Sequence, residues 1–150
     1  MWQIRTIQLA VSALVLIAAS GCSGQVKLVP VTGVVKLDGK VVDGVRVYFW
    51  PKDQSAPSSV NRLAIGFSDK EGKFSLRGTN GDGIEAGDYK VTFARPMTPV
   101  GKAPAKQNQK AEEVGAKETL PPSATDLSLT KHTATVSEKS KDFVFDLSSK

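Results

Sequence analysis

Between Val31 and Ser148 the apolar residues of this chain recur at every second position, and no long segment keeps a 3.6-residue period. A period of two is the signature of a strand with one face buried. In Val31–Leu37, Val31, Gly33, Val35 and Leu37 share one side, and Thr32 and Lys36 point the other way. Val45, Val47 and Phe49 alternate with Arg46, Tyr48 and Trp50 until Pro51 stops the run. Leu63, Ile65 and Phe67 oppose the small Ala64 and Gly66, Phe74 sides with Leu76, and Tyr89 with Val91 and Phe93. Lys131–Ser137 and Asp142–Ser148 complete the set, the last with Phe143, Phe145 and Leu147 on one face. About seven short strands separated by turn residues predict a single all-β domain, an antiparallel sandwich of two facing sheets.

The turns carry their own signals. Asp38-Gly39 lies between two patterned runs, where a two-residue hairpin needs positive φ. Asp69-Lys70-Glu71-Gly72 offers a carboxylate at its start and a glycine at its end, the chemistry of a tight strand connection. Gly39 and Gly72 are therefore structural candidates. So is Tyr89, which opens a strand just after Gly87, the setting of a tyrosine corner whose hydroxyl bonds a backbone group. One segment resists the pattern: residues 96–130 read as a long irregular loop. Connections of that length are either functional or disordered, and a loosely packed excursion is expected here.

The N-terminus is a different material. Arg5 precedes an uncharged run, Leu9–Ala19, and the small Ala19, Ser20 and Gly21 lead to Cys22, the chain's only cysteine. Positive, apolar and then small is the order of an export signal, and the run is short for a membrane span, which stands as the alternative. The sequence Ala-Ala-Ser-Gly-Cys resembles a bacterial lipobox, with Ala19 where Leu is usual. That resemblance implies removal of residues 1–21 and acylation of Cys22, with residues 22–28 as a short tether and 29–150 as the sandwich. Ser23, rather than Asp, resembles the sorting rule for outer-membrane lipoproteins. The expected place is thus the cell envelope, in the outer membrane and facing the periplasm or the cell surface. With no second cysteine, no intrachain disulfide can form, and packing must hold the fold.

With the strands placed, three stretches become recognisable. VTGVVKLDGKVVDGVRVYFWP, GFSDKEGKFSL and EAGDYKVTF resemble a carboxypeptidase-regulatory-like, or transthyretin-like, domain, and most of all small lipoproteins built from one such sandwich. LPPSATDLSLTKHTATVSEKSKDFVFDL resembles the C-terminal piece of the same pattern. The departures are Val41 for Pro, Ser68 for Thr, Glu71 for Asp, and His132 at a usually apolar position. The resemblance implies a non-catalytic structural or interaction module, with an unidentified protein or glycan partner and no cofactor.

Composition sets further bounds. The net charge of +5 is spread along the chain without a dense basic stripe, so nucleic acid is not an expected partner. A single histidine, His132, excludes a two-histidine metal site, and no nucleophile-elbow motif accompanies the serines. Neither Asp69–Gly72 nor Asn80–Gly83 has the ligand series of a calcium loop, so no metal is expected. Trp50 and Tyr48 alternate with the inward residues of their strand. Beside Arg46 they form a candidate stacking platform for a saccharide or peptide, or else they pack beneath a loop.

Overall fold

The computed structural model describes residues 27–53, 63–100 and 103–150. The expected signal segment and Cys22 lie outside the described residues. In chain order the strands are β1 (Leu28–Val29), β2 (Thr32–Leu37), β3 (Lys40–Val41), β4 (Arg46–Pro51), β5 (Ala64–Phe67), β6 (Lys73–Ser75), β7 (Arg77–Gly78), β8 (Gly81–Asp82), β9 (Ile84–Glu85), β10 (Gly87–Ala94), β11 (Pro96–Met97), β12 (Lys117–Glu118), β13 (Thr133–Val136) and β14 (Asp142–Leu147). Among the described residues a 3-10 turn (Glu112–Val114) and one turn of α-helix, α1 (Pro122–Thr125), interrupt them. Each of the seven alternating stretches contains a strand.

Two sheets form the sandwich. One runs β13-β10-β4-β5-β7-β8, and the other runs β14-β2-β3, with β6 also pairing β2. All strand pairs are antiparallel except one: β14 lies parallel to β2, in register from Asp142 opposite Thr32 to Leu147 opposite Leu37. A parallel pair needs a crossover, and here the crossover is the rest of the domain.

The facing sides close on aromatic rings. Phe49 of one sheet meets Phe143 and Phe145 of the other at centroid distances of 5.8 and 6.1 Å, and Phe93 meets Phe145 at 5.2 Å. Val35, Val47, Val91 and Leu147 fill the space between them and are buried. Each such side chain removed from water stabilises the fold by roughly 1.5–3 kcal/mol.

β5 buries its small side. Ala64 and Gly66 face the interior, and Leu63, Ile65 and Phe67 are half-exposed on the outside. The reason is distance: a Cβ on Gly66 would lie 2.9 Å from the Ser75 carbonyl oxygen and 3.0 Å from the Phe74 ring. The incoming β6 chain leaves no room for a side chain there.

The described residues of the 96–130 segment, 96–100 and 103–130, follow a definite path in two parts. β11 and β12 pair at the base of an excursion, closed further by Ala105 N–H to the Pro96 carbonyl (2.9 Å) and Thr98 N–H to the Ala103 carbonyl (3.0 Å). Beyond β12 the chain returns to the sandwich, where Leu120 and Ala124 join the core. The Thr130 hydroxyl then donates to the Val91 carbonyl at 2.7 Å, leading into β13.

Candidate functional site

Tyr48, Trp50 and Arg46 project from the outer face of β4, because the period of two sends Val47 and Phe49 inward. The Tyr48 and Trp50 rings stack, with centroids 6.1 Å apart and planes 25° from parallel. Both residues are half-buried. Their neighbour across β10 is Thr92, whose hydroxyl accepts the Trp50 indole N–H at 2.8 Å. At the Trp50 end, Pro51, Lys52, Lys90 and Leu127 complete a cleft of about 150 Å³. The Lys90 ammonium donates to the Leu127 carbonyl on its wall, at 3.4 Å.

Arg46 sits at the other end of the strand and turns to the excursion. Its Nη2 donates to the carbonyls of Gln109 (3.3 Å) and Lys106 (3.4 Å). Its Nε is buried without a hydrogen-bond partner among the described residues. The three candidates therefore divide: Trp50, with Tyr48 stacked on it, borders an open cleft, and the Arg46 guanidinium holds down a loop.

Sequence reasoning missed the residues that fasten this loop. The Glu118 carboxylate accepts the backbone N–H groups of Arg95, Thr119 and Leu120 at 2.8–3.0 Å. The Thr119 hydroxyl donates to the Arg95 carbonyl at 2.8 Å. Arg95 in turn donates from Nε to the Asp43 carbonyl (2.9 Å) and from Nη2 to the Asp43 carboxylate (3.2 Å). Arg95 and Glu118 are far apart in sequence and carry no motif, so no local signal marks the clasp.

Tyr89 is fully buried, and its hydroxyl donates to the Glu85 carbonyl at 2.8 Å. It ties the turn before β10 to the strand that follows. Gly39 and Gly72 both have positive φ, 78° and 72°. His132 packs edge-on against Phe93 and Phe145, at 5.2 and 6.1 Å, and burial there lowers its imidazole pKa.

The carboxylates of both oxygen-rich turns make contacts within the protein. Asp69 Oδ1 accepts the N–H groups of Glu71 and Lys73, both at 2.9 Å, and Asp82 Oδ1 pairs with Arg77 Nε at 2.9 Å. Among the described residues no group of three or more His, Cys, Asp or Glu side chains is placed to hold a metal ion.

No family model and no curated protein matches this sequence. Among solved structures, the fold is similar to BcpA, the major pilin subunit of Bacillus cereus, with a TM-score of 0.41 and 11% identity over 81% of this chain. The match spans 29% of that pilin, so the chain corresponds to less than a third of its length.

Proposed function

We propose that this chain is an extracytoplasmic lipoprotein of the cell envelope, acylated on Cys22, whose sandwich serves as a non-catalytic structural or interaction module. One observation carries the reading: the chain's one cysteine directly follows Ala19-Ser20-Gly21 and comes shortly before β1 (Leu28–Val29), the first strand among the described residues. The motif resemblance to carboxypeptidase-regulatory-like domains supports the module, and the all-β sandwich is compatible with it. Two or three acyl chains, at about 0.8 kcal/mol per buried CH₂, hold such a domain stably at a bilayer. The test is mass spectrometry of the mature N-terminal peptide together with fractionation of Cys22→Ser. A diacylglyceryl-modified Cys22 and release of the variant from membranes are expected. An unmodified thiol on a soluble product would refute the anchor.

A second reading is favoured by the stacked Tyr48–Trp50 pair beside the Lys52–Lys90 cleft, as a surface for a saccharide or a peptide strand. After removal of residues 1–21, Trp50 is the only tryptophan in the chain, so its fluorescence reports directly on the cleft. Saturable change with one member of a glycan and peptide panel, lost in Tyr48→Ala while Trp50 still reports, would establish it. A flat response throughout would exclude it.

A further inference from the structure

We infer that the sandwich stands end-on at the membrane, with lipid headgroups as neighbours of the pole formed by Lys27, Gly87–Asp88 and the Ser137–Ser140 hairpin. The inference rests on acylation of Cys22 and adds an orientation to it. Strand register brings these residues to one end. β1 pairs Leu28 with Glu85, β10 pairs Gly87 with Val136, and Thr32 N–H donates to the Lys141 carbonyl. Lys27 forms an ion pair with Glu138 in the hairpin. Both side chains are well exposed, so the pair contributes little stability. It does mark where the chain leaves the domain.

From that pole the eight residues of β10 run to Ala94, about 23 Å away at 3.3 Å per residue. At the opposite pole lie the Asp38–Gly39 hairpin, the Asp69–Gly72 turn and the β11–β12 base of the excursion. The five steps from Cys22 to Lys27 span at most about 18 Å when extended. That is less than the length of the domain, so an inverted placement is out of reach.

The anchored pole carries charge of both signs. Lys27, Lys52, Lys139 and Lys141 are exposed there. Among the acids at this end, Glu138 pairs with Lys27, Asp142 accepts the Thr32 hydroxyl and Asp88 accepts the Thr135 hydroxyl, and Asp53 and Glu85 lie beside them, so tether reach and not charge sets the orientation. The excursion and both tight turns consequently face away from the bilayer, towards any protein partner.

Acylation of Cys22 leaves no other thiol in the chain, so one introduced cysteine takes a fluorophore cleanly. The full acylated protein is placed in phosphatidylethanolamine–phosphatidylglycerol vesicles carrying nitroxide on their headgroups. The label sits at Lys139→Cys or Lys141→Cys on the anchored pole, or at Lys70→Cys on the far one. Severalfold stronger quenching at 139 and 141 than at 70 is expected. Equal or reversed quenching in vesicle-bound protein would overturn the orientation and leave the anchor standing. Protein that fails to float with the vesicles would overturn both.

Discussion

The two glycine turns at the far pole look alike in sequence and differ in space. Asp38-Gly39 closes β2 onto β3, with Leu37 opposite Lys40, and Asp38 also has positive φ (50°). A Cβ on Gly39 would meet nothing within 4 Å. At Gly72 the same Cβ would lie 2.6 Å from the Val35 carbonyl oxygen and 3.2 Å from Val41 Cβ. That oxygen is the acceptor for Val42 N–H, and Val35 N–H donates to the Gly72 carbonyl at 2.8 Å. Gly39 therefore satisfies a backbone angle alone. Gly72 satisfies an angle and also lets one chain lie against another.

Gly72→Ala should break this contrast most forcefully. Left-handed strain of about 1–2 kcal/mol adds to a backbone clash, for a total loss of about 3 kcal/mol or more in chemical denaturation. Gly72→Asn should be no better, because asparagine tolerates the angle and still carries the Cβ. Gly39→Ala should cost only about 1 kcal/mol, the conformational part alone. Gly39→Asn should recover most of that loss, within about 0.5 kcal/mol of the parent. Equal melts for the 39 and 72 alanine variants would erase the distinction.

The opposite pole, at Gly87–Asp88, supplies a third kind of connection, tied by a side chain. Tyr89→Phe keeps the ring packed against Phe49, 5.9 Å away, and removes the bond to Glu85. A loss of about 1 kcal/mol is expected, read from urea midpoints at unchanged m-value.

The smallest effect is a pH dependence. Burial against Phe93 and Phe145 lowers the His132 pKa in the folded state, so the unfolded chain binds its proton more readily. Stability from this group is complete above the unfolded value of about 6.5 and is lost as pH falls towards the folded one. His132→Phe should flatten the difference between melts at neutral and mildly acidic pH. An unchanged slope would remove His132 as its source.

These turns also show how far the sequence is legible. Alternation located every major strand, and Asp-Gly and Asp-Lys-Glu-Gly marked the two turns, because both signals are local. Whether a glycine is crowded depends on a strand distant in sequence, as with Val35 against Gly72 or Ser75 against Gly66. No window of sequence contains that information. The two-residue strands β1, β9, β11 and β12 were invisible for the same reason, since long-range partners define them. The surface candidates fared similarly: alternation put Tyr48, Trp50 and Arg46 on one face, yet only packing divides the stacked rings, with Trp50 at the cleft, from an arginine committed to Lys106 and Gln109.

The parallel alliance of β2 and β14 has a mechanical consequence. A pull that separates Thr32 from Leu147 runs along both strands and across their hydrogen bonds. The six-residue ladder is then loaded in shear and must yield as a unit, where a hairpin would unzip one rung at a time. Single-molecule extension should therefore show one high-force rupture for this domain, and early low-force release of β14 would contradict it.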